Sequence, residues 1–296
     1  AARRARVGQR RLVVVEDPRA LEPGQIGIYS SSAPMGAPPT LGSPTPEGGA
    51  AQLAWIDQAT DLVISGRCGA LVTGPVSKAA IASSTGRAAK RFRGHTEHLA
   101  RRLGADEVVM AFRSSRLTVS LVTTHLPLAR VPRAITVEAV AAACYWLGEL
   151  LTRLEPGPRR VVVAALNPHA GEGGLLGDEE STRIEPGMAR ARGRLKRRGV
   201  IIEGPVGAET AFRRAAAGDF QGVVAMYHDQ ATVPLKLLGF GEAVNVTLGL
   251  PIVRTSVDHG TAYDRAASGG VSSLGMEAAL SLAASLAGSP RRSSKR

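Results

Sequence analysis

Short apolar runs alternate with longer amphipathic stretches along most of the chain. Leu12–Val15, Gly69–Val72, Val108–Phe112, Leu117–Val122, the run at 160–166, Val223–Met226, Val244–Leu248 and Ile252–Val253 are rich in Val, Ile and Leu and bounded by turn residues, which predicts strands. Val108–Phe112 and Leu117–Val122 read as a hairpin around Arg113-Ser114-Ser115-Arg116. Between the runs, Ala50–Ser65 places Leu53, Ile56, Leu62 and Val63 on one side of a helix. GHTEHLARRLG (Gly94–Gly104) reads as a turn followed by a helix, and Thr136–Leu154 and Ala208–Ala217 as helices. Residues 179–198 read as helical but interrupted at Pro186-Gly187, and Glu277–Ala287 as a terminal amphipathic helix. Residues 32–49, SAPMGAPPTLGSPTPEGG, read as a loop. No internal repeat is visible. Strands alternating with helices predict an α/β fold with a largely parallel sheet covered on both faces. In open sheets of that kind ligands bind beyond the carboxyl ends of the strands.

Three apolar runs each end by delivering a histidine: LTVSLVTTHLP gives His125, VVVAALNPHAGEGG gives His169 and VVAMYHDQ gives His228. The chain has only six histidines. Neutral imidazole is the commonest protein ligand for divalent metals, and three histidines with an open position describe a catalytic site. The plainer alternative is three unrelated loop histidines, since only the fold can bring such distant residues together. Asn167, Glu172, Asp178 and Asp229 lie close enough in sequence to orient such ligands from behind.

A second constellation follows. Lys236, Asn245 and Arg254 punctuate an otherwise apolar stretch from His228 to Ala262. Lysine and arginine are natural partners of carboxylate and phosphate, so a small anionic substrate is indicated; solvated strand ends are the plainer reading. TGPVSK (Thr73–Lys78) does not match the phosphate-binding loop G-x-x-x-x-G-K-[ST]. In GHTE (Gly94–Glu97), Thr96 suits either a helix cap or an anion site at a helix start. No G-x-G-x-x-G follows an early strand, which argues against a Rossmann dinucleotide site, and no G-x-S-x-G nucleophile elbow is present.

Composition adjusts this picture in two places. The net charge of +12 invites a nucleic-acid partner, but nine positive charges (Arg3, Arg4, Arg6, Arg10, Arg11, Arg291, Arg292, Lys295 and Arg296) lie in the terminal tails, and about +3 remains without them. The body of the chain is nearly balanced, and a nucleic-acid role is not expected. Aromatics make up 4%, so the core is Val, Leu, Ile and Ala. The two cysteines, Cys68 and Cys144, follow no metal or redox spacing and read as buried thiols. No run of about 18 apolar residues predicts a membrane span, the N-terminus lacks a secretory apolar core, and a cytoplasmic address is expected.

Taken together, TGPVSK, GHTE, TTHLPL, LNPHAGEGG, MYHDQ and GFGEAVNVTLGLPIVRTSVDHGTA, in this order and spacing, resemble the 4-hydroxythreonine-4-phosphate dehydrogenase family from about residue 12 to residue 287. The resemblance implies a fold like that of isocitrate and isopropylmalate dehydrogenases: two α/β domains with cofactor and substrate in the cleft between them. It implies residues 12–98 plus 256–290 as the first domain, 99–255 as the second, metal- and dimer-bearing domain, and 1–11 and 291–296 as basic tails. The implied cofactor is NAD or NADP, with Asp258, His259, Gly260 and Thr261 of the DHGTA segment near its adenosine half. A divalent metal (Zn, Co, Mn or Mg) is implied at His125, His169 and His228, one of them supplied by the neighbouring subunit of a homodimer. Implied substrate contacts are His95, Thr96, Lys236, Asn245 and Arg254. Lys236 and Asp229 are the candidate catalytic residues, with Lys236 or a metal-held water as the base. The implied reaction oxidises 4-phosphohydroxy-L-threonine to 2-amino-3-oxo-4-phosphooxybutanoate, which loses carbon dioxide to give 3-amino-2-oxopropyl phosphate, a precursor of pyridoxal phosphate.

Two alternatives accompany that reading. Sister enzymes of the same fold act on phosphorylated threonate- or erythronate-type acids or on aromatic cis-dihydrodiols, and a non-catalytic homologue could keep fold and metal without turnover. The family also opens on a strand and a segment resembling T-x-G-D-P-x-G-I-G-P-E that has no counterpart here; LVVVEDPRALE (Leu12–Glu22) resembles the family's second strand region instead.

Overall fold

The computed structural model describes residues 11–29, 40, 42–239, 241–265 and 268–288. The basic tails, apart from Arg11, lie outside these residues, as does half of the loop expected at 32–49. In chain order the elements are β1 (Leu12–Val15), β2 (Ile26–Tyr29), α1 (Pro46–Ile64), β3 (Leu71–Thr73), α2 (Lys78–Ser83), α3 (Arg87–Lys90), α4 (His95–Leu103), β4 (Val109–Arg113), β5 (Thr118–Leu121), α5 (Val131–Ala134), α6 (Val137–Leu154), β6 (Arg159–Ala164), α7 (Glu185–Leu195), β7 (Val200–Val206), α8 (Ala208–Ala216), β8 (Gly222–Ala225), α9 (His228–Leu238), β9 (Val244–Leu248), β10 (Arg254–Val257) and α10 (Leu274–Gly288).

The chain divides into two compact units. The first holds the described residues up to Leu71, Pro75–His95 and Gly260–Val271; the second holds Val72–Gly74, Thr96–His259 and the residues from Ser272 on. The C-terminal helix, expected with the first domain, therefore groups with the second unit. In the first unit β1 and β2 pair in parallel, Leu12 opposite Ile26. Helix α1 starts earlier than the sequence suggested, because Thr45 caps it by accepting the Gly48 N–H at 3.1 Å and Pro46 takes the first position, where no N–H is needed. Helices α1 and α2 meet backbone to backbone at Gly49: a Cβ there would stand 2.0 Å from the Ala80 carbonyl oxygen.

The second unit is built on an eight-stranded sheet in the order β3-β10-β9-β4-β5-β8-β6-β7. It is less parallel than expected. β5, β8, β6 and β7 run parallel, whereas β4 is antiparallel to both its neighbours and β10 is antiparallel to β9. β5 and β8 are buried along their whole length, as strands covered on both faces must be. Helix α6 covers one face; Thr136 caps it, accepting the Ala139 N–H at 3.1 Å, and Val140, Ala143, Cys144, Leu147 and Leu151 form its buried stripe. Burial pushes the Cys144 thiol up to about 12. On the other face Phe112, Val119, Leu121, Val162, Ala225 and Leu235 pack into one cluster with α8 and α9.

Several expectations shift. Pro186-Gly187 does not break the helix at 185–195. Pro186 sits in its first turn after a π-helical turn at Glu180–Ile184, and Gly187 lets α7 close on α6, where a Cβ would meet Val140 Cβ at 2.7 Å. The expected strand at Ile252–Val253 begins at Arg254 instead, and β7 and α9 lay outside the expected elements. No single helix among the described residues is long and apolar enough to cross a membrane.

Candidate active site

β5, β8 and β6 are neighbours in the sheet and run in the same direction, and His125, His169 and His228 each follow the carboxyl end of one of them. The loop after β5 is tied to the end of β8 by Thr123, whose N–H and Oγ1 both donate to the Met226 carbonyl, at 3.1 and 2.7 Å. That tie brings the His125 and His228 rings to 5.4 Å between centroids. His228 opens α9, and its Nδ1 lies 2.7 Å from Asp229 Oδ1, which leaves Nε2 as the ring's other nitrogen. Gln230, two residues on, accepts the Met226 N–H at 2.6 Å and donates to the Ala165 carbonyl at 2.8 Å, joining the ends of β8 and β6.

His169 stands in a different kind of backbone. His169, Ala170, Gly171, Glu172 and Gly173 all lie in the left-handed region, with φ from 46° to 79°. For the three non-glycine residues this costs about 1–2 kcal/mol each, strain of the sort that persists where surrounding contacts over-determine it. Those contacts come from Glu180, a buried carboxylate that accepts the Leu166 and Asn167 N–H groups at 2.9 and 2.8 Å and Asn167 Nδ2 at 2.9 Å. Glu179 takes the same amide group at 2.7 Å, and this hydrogen bond holds its carboxyl below the usual range. Asn167 is thus held through both its backbone N–H and its side-chain amide. The acids that hold it, however, are Glu179 and Glu180 rather than Glu172 or Asp178.

The anion-binding candidates gather on the β9–β10 hairpin. Asn245 pairs with Ser256, and Arg254 lies two residues before Ser256, so Asn245 and Arg254 share a face. Arg254 is 3% exposed; its Nη1 donates to Thr247 Oγ1 at 2.9 Å and its Nη2 to Thr73 Oγ1 at 2.7 Å. Thr96 Oγ1 lies 3.5 Å from Thr247 Oγ1. The guanidinium therefore sits among hydroxyls, with no carboxylate hydrogen-bonded to it among the described residues. Burial pulls it down to about 10, against a longer-range attraction from Glu97. Arg254 Nε and Asn245 Oδ1 are buried without a hydrogen-bond partner among the described residues, a donor and an acceptor left for something else. The reverse face of the hairpin meets α10, where Thr255 Oγ1 donates to the Ala279 carbonyl. A cavity of about 720 Å³ is lined by Tyr145, Trp146, Arg153 and Leu286 from α6 and α10 and by hairpin residues that include Thr247 and Arg254.

Lys236, two turns along α9 from His228, lies 3.5 Å from Asp258 just past β10. Burial raises the Asp258 carboxyl above its usual value, against the opposing pull of Lys236, His228 and His259. Asp258 and His259 belong to the second unit, as do Thr96, Lys236, Asn245, Arg254 and the three histidines; His95, Gly260 and Thr261 belong to the first. The His95 ring stands edge-on to Phe92 at 6.2 Å. Among the described residues no group of three His, Cys, Asp or Glu side chains closes around one point, so a single chain brings together two of the three candidate imidazoles.

These features meet known proteins. The profile of a family described as "Pyridoxal phosphate biosynthetic protein PdxA" matches residues 3–283. A 4-hydroxythreonine-4-phosphate dehydrogenase of Desulfosudis oleivorans is 47% identical over 262 residues, 88% of this chain and 75% of its own length. The Geobacter metallireducens protein of the same name is 45% identical over 89% of this chain and 76% of its own. The crystal structure of 4-hydroxythreonine-4-phosphate dehydrogenase from Klebsiella pneumoniae superposes with a TM-score of 0.80 at 34% identity, over 93% of this chain and 83% of that one. The fold is the isocitrate/isopropylmalate dehydrogenase type expected from the sequence. On the match along nearly its whole length, the chain belongs to the pyridoxal phosphate biosynthetic protein PdxA family.

Proposed function

We propose that this chain is a dehydrogenase that oxidises 4-phosphohydroxy-L-threonine in pyridoxal phosphate biosynthesis. The relatives carry that activity in their names, and sister activities on other acids or diols are not favoured by them. The observation that carries the substrate's chemistry is Arg254: a buried guanidinium bonded to two threonines, with an unused Nε and, on the same face of the hairpin, an unused Asn245 Oδ1. A guanidinium so placed suits a phosphate or carboxylate, which can take two N–H groups at once. Thr96, at the start of α4, supplies a further donor for the same anion.

A divalent metal fits the donor set, since His125 and His228 present two imidazoles together. His169 would add the third ligand, with one of the three contributed by a second copy of the chain. When bound, the metal supplies a lowered pKa at the substrate hydroxyl and NAD or NADP supplies the hydride acceptor. Asp229 holds Nδ1 of His228 and fixes the ring. Lys236 takes the proton leaving the hydroxyl, and Asp258, 3.5 Å from its Nζ, stabilises the ammonium so formed. Exposed leucines flank the site, Leu126 and Leu128 beside His125, Leu175 and Leu176 after His169 and Leu237 beside Lys236, which supports a homodimer closing over it. The reading places the enzyme in the cytoplasm, with the nicotinamide pools.

The test mixes purified protein with 4-phosphohydroxy-L-threonine, NAD or NADP and a divalent metal, and follows reduced cofactor by absorbance. Chelator-sensitive turnover is expected. Turnover of phosphorylated D-threonate alone would move the chain to the sister activity, and no turnover of either by folded, metal-supplied protein would overturn the reading.

A further inference from the structure

We propose that Glu180 is the positioning residue for His169. The inference rests on His169 being a metal ligand, and concerns how the chain holds an imbalanced loop in place. The backbone leaves β6, passes Asn167 in extended conformation and then turns left-handed for five residues. A turn of that kind has no ladder to hold it, and three of its residues carry a Cβ. Its fixed point is the segment immediately before it. Glu180 Oε1 takes two successive backbone donors, Leu166 and Asn167, and Oε2 takes the Asn167 side chain. Three hydrogen bonds from one carboxylate at 4% exposure set both the position and the direction in which the chain enters the turn.

The far side of the turn is fitted to the same carboxylate. A Cβ on Gly171 would stand 2.9 Å from Glu180 Oε2 and 3.0 Å from the Gly177 carbonyl, and one on Gly177 would stand 2.4 Å from Asn167 Nδ2. The glycines therefore let the loop close around the Glu180–Asn167 pair, and the pair occupies the middle of the loop that presents His169 at its rim. Glu180 itself opens the π-helical turn before α7, whose Ile184 is fully buried, so it is anchored to a rigid element rather than to another loop. Outer partners that fix a ligand's orientation in this way are worth about 10–100-fold in metal affinity.

The experiment titrates Co2+ alone into the purified full chain, reading affinity and the visible ligand-field bands. The variants are Glu180→Gln, Glu180→Ala and Asn167→Ala, with His169→Ala as ligand control and Ile184→Val as a packing control. Glu180→Gln turns a donor toward groups that are already donors, yet keeps the volume. Expected are about 10–100-fold weaker binding and altered bands for both Glu180 variants, a smaller loss for Asn167→Ala, and wild-type binding for Ile184→Val at its lowered Tm. If His169→Ala weakens binding while the Glu180 and Asn167 variants bind as wild type, the positioning role is overturned and the ligand stands. If His169→Ala itself binds as wild type, the ligand reading fails and the inference with it. If Ile184→Val loses affinity as much as Glu180→Gln, the effect is general loosening and the inference is again overturned. Asn167→Ala removes only the two side-chain bonds, to Glu179 and Glu180, and keeps the backbone ones, so it decides the question even where the Glu180 variants do not fold.

Discussion

Lys236 Nζ stands 3.5 Å from Asp258 Oδ2, bridging α9 and the end of β10 at the edge of the candidate site. Because burial raises the Asp258 carboxyl, the folded protein holds a proton there more readily than the unfolded chain. Its contribution to stability is therefore present below the unfolded value of 3.8 and is lost as pH rises through the folded one. Asp258→Asn is expected to keep or raise Tm at pH 7, with the difference from wild type closing toward pH 4. Activity is expected to fall about 100-fold, the scale of a lost proton-transfer partner. Thermal melts across pH beside kcat check both; a lower Tm at pH 7 with unchanged kcat would remove Asp258 from the proposed proton path.

Arg254 donates to two threonines and keeps one nitrogen unused. Arg254→Lys replaces the planar fork by a point charge that cannot reach both hydroxyls and an anion together. A loss of about 2 kcal/mol, roughly thirtyfold, is expected in KM for the phosphorylated substrate, with a smaller change in kcat. The same variant should lose the rise in Tm that inorganic phosphate gives the wild type. Steady-state kinetics and a phosphate melt series suffice, and an unchanged KM would take Arg254 out of the anion site.

Gln230 is satisfied at both ends by backbone atoms of different strands, Met226 N–H and Ala165 C=O. Gln230→Ala strands both groups in a half-buried position, at about 1–3 kcal/mol each. A Tm several degrees lower is expected, together with weaker divalent-metal binding because the ends of β8 and β6 are no longer tied. Melts and metal titration on one preparation separate the two effects.

Cys144 is buried on the inner face of α6 and its thiol is pushed up to about 12, and burial also raises that of Cys68, which remains partly exposed. Neither is poised as a thiolate near neutral pH. Iodoacetamide at pH 8 should leave Cys144 unmodified and label Cys68 slowly in the native protein, and label both in denaturant. Mass spectrometry of digests reads this directly; rapid native labelling of Cys144 would contradict its packing.

The positions of the strands that carry the histidines were legible in the sequence, because short runs of valine ending in Pro, Gly and polar residues leave few other readings. Thr123, Gln230 and Glu180 were not: each acts on backbone groups far away in sequence, which no local pattern encodes. Helix α9 was missed because His228-Asp229-Gln230 reads as a loop and Pro234 as a breaker, whereas tertiary packing of Ala231 and Leu235 carries the helix through. β7 was missed because Glu203, Gly204 and Pro205 interrupt its apolar pattern. The alternation of helices and strands suggested a mainly parallel sheet; the β4–β5 hairpin was legible as such, whereas the antiparallel pairings of β9 with β4 and β10 were not. Family motifs marked Arg254 and Lys236, but only the fold shows that one is ringed by hydroxyls and the other is paired with an acid.

β3 lies at one end of the sheet beside β10, yet the chain on either side of it, before Val72 and after Gly74, belongs to the first unit. The second unit thus cannot be cut out as a continuous piece. A fragment beginning at Thr96 would lack its outermost strand, and the open N–H and C=O groups of β10, on which Arg254 is placed, would become a sticky margin inviting strands from other molecules. In genetic terms the two units are interleaved, so rearrangements that separate them would be punished first by aggregation and only afterwards by loss of chemistry.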